Sequence, residues 1–277
     1  MLLQDRPDDD HVRIHTILTT WFSRLEDKFP SLVKMLGCMV YMRPFVAYDA
    51  VSGGDLETIQ VLHDAFGIVN FGGPLLDIAA GRDHLPMLRF LHEHGHQGCT
   101  SDAMDMAARR GHMDCLEFLH LNRTEGCSTD AMDDAAALGR LSIVEFLHAM
   151  RLEGCTAAAM DRAATAGHAA VVEFLHFHRH EGCTTDAIDG AAATGHLGIV
   201  RFLQEHRTEG CTTKALMKAA RRGDVAMVTY LHTHLVQGLT YAEMKMTFGM
   251  TRDAAVLDFL AHISVLPASD DEMLSDY

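Results

Sequence analysis

Five cysteines, Cys99, Cys127, Cys155, Cys183 and Cys211, stand at a constant interval of 28 residues, and each follows a glycine. A fixed period in the range of about 20–50 residues marks a chain built from one supersecondary unit stacked many times. That constrains the fold more tightly than any composition does. The unit is close to literal. Asp186-Ala187-Ile188-Asp189-Gly190-Ala191-Ala192 runs through Gly195-His196 to Ile199-Val200-Arg201-Phe202-Leu203. The copy from Asp102 keeps Ala107-Ala108, Gly111-His112 and Phe118-Leu119-His120. The copy from Ala158 keeps Ala163-Ala164, Gly167-His168 and Phe174-Leu175-His176. The pattern decays outward, to Gly53-Gly54-Asp55-Leu56 upstream and to Phe259-Leu260 downstream. There are four clear units, two good flanking ones and two weak ends.

Each unit reads as a helical hairpin. Asp186 is placed as the N-cap of a first helix, with Asp189 near the positive end of its dipole. Ala187, Ile188, Ala191 and Ala192 share one small apolar face, and Gly195 stops the helix after about two turns. Leu197, Ile199, Val200, Phe202 and Leu203 form a second helix with a broad apolar stripe, Phe and Leu filling the interior. Arg207-Thr208-Glu209-Gly210 is a polar loop with a glycine turn. One hairpin cannot bury its own face; stacking makes a continuous core.

The Ala191-Ala192-x-x-Gly195-His196 core followed by Ile199-Val200-x-Phe202-Leu203 resembles the ankyrin-repeat family, over roughly residues 44–262. The resemblance implies an all-α fold: an ankyrin-like α-solenoid of stacked helix–turn–helix repeats with short loops and helical end caps. Two departures stand out. The family's Thr-Pro-Leu-His opening is replaced by Asp186-Ala187-Ile188-Asp189, and its period of about 33 residues is shortened to 28. The β-hairpin finger between units is therefore expected to shrink to a tight turn at Glu209-Gly210-Cys211-Thr212. The expected division is a helical cap over 1–42, a repeat array over 43–262 and an acidic tail over 263–277. In the cap, Val12 to Leu25 has amphipathic spacing, Pro30 ends that segment, and Ser31 to Tyr41 reads as another helix.

A net charge of −15 disfavours a nucleic-acid binder or adhesion to an anionic membrane. Asp5 and Asp8 to Asp10 interrupt any apolar start of the secretory kind. The expected compartment is cytoplasmic, or else nuclear, with the seven cysteines as thiols.

Four columns could carry chemistry. Equivalent cysteines on neighbouring hairpins lie about 8–10 Å apart, too far for disulfides or a shared metal, so they read as packing thiols. His92-x-His94-x-His96-x-x-Cys99 and His176-x-His178-x-His180-x-x-Cys183 mimic zinc or copper sites. The Leu-His slot recurs without the rest, however, so these read as surface histidines. The column Asp77, Asp105, Asp133, Asp161 and Asp189 reads as structural hydrogen bonding. The Gly-His column, His84, His112, His168 and His196, reads as architecture. No catalytic residues, metal or cofactor are assigned.

What varies between copies is the candidate binding surface: Met106, Arg109, Arg110, Asp134, Leu138, Arg162, Lys218, Arg221 and Arg222. In ankyrin-like arrays this side of the first helix lines the concave groove. The expected function is a monomeric, non-catalytic scaffold binding another protein there. The alternative is a substrate-recruiting adaptor of a ubiquitin ligase, docking through residues 11–41. Histidines held neutral by burial, in the Gly-His and Leu-His columns, predict weakening below pH of about 6.5 that starts at the degenerate ends.

Overall fold

A computed structural model describes residues 28–234, with residues 16, 20, 254 and 255 besides. All but two residues of the Val12–Leu25 segment, the degenerate repeat at Phe259-Leu260 and the acidic tail lie outside the described residues. Among those described there are fifteen α-helices, two 3-10 turns and no strand. α1 (Lys28–Cys38) leads through a 3-10 turn at Val40–Met42 into α2 (Arg43–Gly53) and α3 (Leu56–Phe66), and a second such turn covers Ile68–Asn70. Helices then alternate in hairpins: α4 (Leu75–Gly81) with α5 (Leu85–Glu93), α6 (Asp102–Arg110) with α7 (Met113–Asn122), and α8 (Asp130–Ala137) with α9 (Leu141–Met150). α10 (Ala157–Ala166) precedes α11 (Ala169–His178), α12 (Thr185–Thr194) precedes α13 (Leu197–His206), and α14 (Thr213–Arg222) precedes α15 (Val225–His234).

The chain forms two compact units. One runs to Ala131 and takes in Arg151–Glu153; the other takes Met132–Met150 and the chain from Gly154. In the first unit α4 packs on α6, and α1 packs on α3. In the second, α10 packs on α12 and α12 on α14. The alanine pairs 79–80, 107–108, 135–136, 163–164, 191–192 and 219–220 are fully buried. Their small side chains let neighbouring first helices approach closely. Val144 and Leu147, and their counterparts Val172, Leu175, Val200 and Leu203, supply the bulk of the second unit's core.

The structure corrects four expectations. The N-cap is Thr184, two residues before Asp186: its hydroxyl accepts the Asp186 N–H at 3.1 Å. α12 is accordingly ten residues long, nearly three turns. Phe174 and Phe202 flank the core rather than fill it, because their position turns roughly 100° away from the Leu175 and Leu203 direction. Pro30 lies inside the first described turn of α1 rather than just before a helix starting at Ser31, since the N–H groups of a first turn have no intrahelical partner to lose. The expected tight turn is present, with no finger among the described residues.

Two interactions recur at the repeat period within each unit. The Asp of each first helix accepts two hydrogen bonds from a residue 23 positions later. In the first unit Asp77 binds Thr100 and Asp105 binds Ser128, backbone N–H to Oδ1 at 2.9 Å in both, with hydroxyl to Oδ2 at 2.8 and 2.7 Å. In the second, Asp133, Asp161 and Asp189 hold Thr156, Thr184 and Thr212, each N–H at 2.8 Å. Burial pushes Asp77 and Asp105 above the usual carboxylate range, against the hydrogen bonds they accept.

The second joint is an Arg-x-Glu bracket that the sequence reading passed over. Arg123, Arg151, Arg179 and Arg207 each place Nε 3.2 Å from Oε2 of Glu125, Glu153, Glu181 and Glu209, while Nη2 bonds to Oε1. The bracket sits on the glycine of the preceding turn. A Cβ on Gly126, at φ 77°, would lie 2.6 Å from Arg151 Nη2. Burial opposes ionisation of Glu153 and Glu181, but the arginine and backbone N–H groups outweigh it and hold both near about 2. The Gly-His column serves the same purpose at the hairpin tip: the His168 ring lies where a Cβ on Gly139 would be, 2.6 Å away. Asp83 replaces that glycine at φ 62°, and its carboxylate instead meets His112 at 3.7 Å.

Asp133 is 3% exposed, and Asp133→Ala would remove the acceptor of both the Thr156 N–H and its hydroxyl. Chemical denaturation should show a loss of about 1–3 kcal/mol; an unchanged midpoint would show that the bond adds nothing over solvation.

Two described histidines, His96 and His176, are held below the ordinary imidazole value. His96, 1% exposed, donates Nε2–H to the Phe71 carbonyl at 3.0 Å while Nδ1 accepts the Gly98 N–H at 3.0 Å. Burial, aided by Arg123, lowers its pKa; burial, with Arg207 and His206, lowers that of His176. A folded pKa below the unfolded value of about 6.5 gives stability that is complete above that pH and is lost as pH falls through it. The denaturation midpoint should therefore drop between pH 7.5 and 5.5, and a His96→Gln, His176→Gln double variant should lose most of that drop. An equal drop in the variant would remove these two residues from the account.

Candidate functional site

The first helices carry two kinds of position. One kind faces the core or the joints and is spent on the fold; the other faces solvent. In the second unit the solvent-facing positions of α10, α12 and α14 border a cleft of about 650 Å³. Its floor is small: Ala158, Thr165, Ala166 and Gly190. Gly190 is what admits Thr165, since a Cβ there would collide with the Thr165 hydroxyl. Thr194 ties the two helices by donating to the Thr165 carbonyl at 2.8 Å. Arg162, Lys214 and Lys218 stand at the rim with Asp161, Asp186 and Asp189. Asp161 and Asp189 are already occupied by Thr184 and Thr212. The cleft is thus shallow, polar at its edges and without a positioned nucleophile, which suits contact with a surface or a peptide more than chemistry.

The nine candidate residues fall in both units. In the first, Met106 rests on Gly81, and Arg110 bonds to the Gly81 carbonyl. Both therefore brace the preceding hairpin; Arg109 is exposed. In the second, Asp134 and Arg162 pair at 3.1 Å, so that part of the rim is self-neutralised. Leu138 is an exposed apolar side chain. Arg222 reaches the Ala193 carbonyl at 3.5 Å and covers Gly195, while Lys218 and Arg221 extend into solvent. Lys214 belongs with them and was missed. Its signal was available: it stands in the column of Asp102, Asp130 and Asp186 with the opposite charge.

The columns that resemble metal sites disperse. His92 turns edge-on to Phe118 at 5.5 Å, His94 bonds to the Phe90 carbonyl at 2.8 Å, and His96 faces Phe71. In the second copy His176 stands edge-on to Phe202 at 5.4 Å, and His178 stacks on Phe174. Among the described residues no three His, Cys, Asp or Glu side chains converge. Burial pushes the thiols of Cys127, Cys155, Cys183 and Cys211 up to about 11, and that of Cys99 to about 12. At neutral pH they are thiols, weak both as nucleophiles and as ligands.

A family model described as ankyrin repeats (many copies) matches residues 76–120. No curated protein sequence matches the chain. Ankyrin repeats are protein–protein interaction modules, typically without catalytic activity. The matched segment spans α4 to α7, and its hairpin recurs at 28-residue spacing through α15. Over that segment the chain is similar to ankyrin repeats, and the same helical hairpin recurs beyond it at the shortened period of 28 residues.

Proposed function

We propose that the chain is a non-catalytic scaffold that binds another protein on the solvent face of its first helices. The supporting observation is the cleft of the second unit. Its floor is fixed by Thr165 and Gly190, while its rim, at Arg162, Lys214 and Lys218, carries residues free of any role in the core. A surface of this kind binds by shape and charge, without a reaction to perform. The working form is a monomer in the cytoplasm, acting without nucleic acid, membrane or cofactor. No described helix is long and apolar enough to cross a membrane.

The ligase-adaptor reading needs the N-terminal helices to offer a free face. Leu32 and Leu36 of α1 are fully buried, and α1 packs on α3, which favours a cap.

Photo-crosslinking separates the faces. A photoreactive residue at Leu138, on the first-helix side and 49% exposed, should yield a protein adduct in cells. The same group at Phe177, on a second helix and 65% exposed, should not. Adducts at Phe177 alone would put the binding face elsewhere.

A further inference from the structure

We infer that the exposed face of α14 binds an extended acidic peptide segment of the partner, a reading that rests on the scaffold function above and specifies the partner's chemistry. α14 reads Thr213-Lys214-Ala215-Leu216-Met217-Lys218-Ala219-Ala220-Arg221-Arg222 and contains no acidic residue, in a chain of net charge −15. Ala215, Leu216, Ala219 and Ala220 are buried. Lys214, Lys218 and Arg221, at i, i+4 and i+7, therefore form one exposed stripe along the opposite side. None of the three pairs with a carboxylate among the described residues. Arg222 is already engaged with Ala193 and Gly195 and is left out of the stripe.

Helix energetics account for part of this charge only. Cations in the last turn complement the helix dipole, which is sufficient reason for Arg221. Lys214 is in the first turn, where a cation opposes the dipole and an Asp would favour it. Asp occupies the equivalent position at Asp102, Asp130 and Asp186. Lys218 faces the cleft where the preceding repeat has Gly190. The two lysines thus stand where the fold gains nothing from them, on the wall of a cleft whose floor carries only small side chains.

The spacing specifies the ligand. Four residues of helix advance about 6 Å. Alternate side chains of an extended strand on one face are about 6.6 Å apart. A strand lying along α14 with carboxylates at alternate positions meets Lys214 and Lys218 together, and its next carboxylate comes toward Arg221. Asp161 and Asp186 on the facing helices interrupt the positive field, which disfavours a continuous phosphate backbone or a charged bilayer.

The test is fluorescence anisotropy of the full-length chain with a labelled seven-residue peptide of alternating Glu and Ser. Binding should weaken with salt, and Lys214→Asp with Lys218→Gln should reduce affinity at least about tenfold. Lys214→Asp restores the residue that three other repeats carry there, at Asp102, Asp130 and Asp186, so the melting midpoint should not fall. A control of equal charge change, Lys34→Asp with Arg140→Gln, should retain most of the affinity. Failure of the wild type to bind, equal losses in both variants, or comparable binding of duplex DNA or phosphatidylserine vesicles would overturn the inference. So would a rise in affinity on removing residues 263–277, which would assign the stripe to the chain's own Asp270-Asp271-Glu272 segment. Adducts at Leu138 without peptide binding would leave the scaffold standing and sink this inference alone.

Discussion

The carboxylate of each first helix reaches the residue that starts the next one, and the stacking of hairpins depends on that bond. Thr184 shows the logic. Its backbone N–H and hydroxyl both donate to Asp161, at 2.8 and 2.7 Å, and the same hydroxyl accepts the N–H of Asp186. One side chain therefore closes a relay from the carboxylate of one repeat to the open N-terminus of the following helix. Such linked bonds polarise one another, and the carboxylate also feels the positive end of the dipole beyond the hydroxyl. Because the relay fixes where each first helix begins, it also sets the register in which the alanine pairs meet. A family that spaces its repeats with a β-hairpin finger has another means of doing this; a 28-residue unit has only the turn.

That turn is stiffened by charge. In three loops Arg151, Arg179 and Arg207 stretch back over the glycine of the turn before, each held flat by the glutamate two residues on. Glu153 accepts from Arg151, from the Leu152 N–H and from the Cys127 N–H. The bracket satisfies backbone donors that a shortened loop would leave exposed between two helices. It also explains why the neighbouring residue is a cysteine. An uncharged thiol fills the space beside the guanidinium and lies within its hydrogen-bond reach.

The hairpin, its glycine stop and the structural role of the aspartates were legible because each is a local rule applied to a repeating pattern. Gly195 stops α12 because a positive φ is needed there, and Asp189 repeats at the period of the unit with no nucleophile beside it. The N-cap was misplaced for a physical reason: Asp186 is a strong capping residue by itself, but Thr184 has the extended backbone, and its hydroxyl is aimed by Asp161, 23 residues away. Propensity does not contain that partner. Phe202 was misassigned because hydropathy does not separate the centre of a helix face from its flank. The Arg-x-Glu bracket was visible as a column but read as solvent-exposed polarity, since each residue is ordinary in a loop. Among the candidate binding residues, the sequence could say which positions vary. It could not say that Arg110 and Arg222 spend their guanidinium groups on a neighbouring carbonyl, or that Arg162 is neutralised by Asp134.

These distinctions separate charge that stabilises a repeat from charge that is left over. A repeat array is a set of near-identical environments, so a residue can be judged against the same site one period away. In the first turn of the first helix three repeats place Asp, where the dipole favours it, and one places Ala158; α14 places Lys214. At the position facing the cleft, Asp134 and Arg162 cancel each other, Gly190 opens space, and Lys218 stands unpaired. Folding demands the same of each copy, so a reversal confined to one copy and opposed to the helix dipole has no origin in the fold. On the proposed reading its origin is a chain that approaches from solvent, and in the second unit the cleft beside α12 leaves room for one.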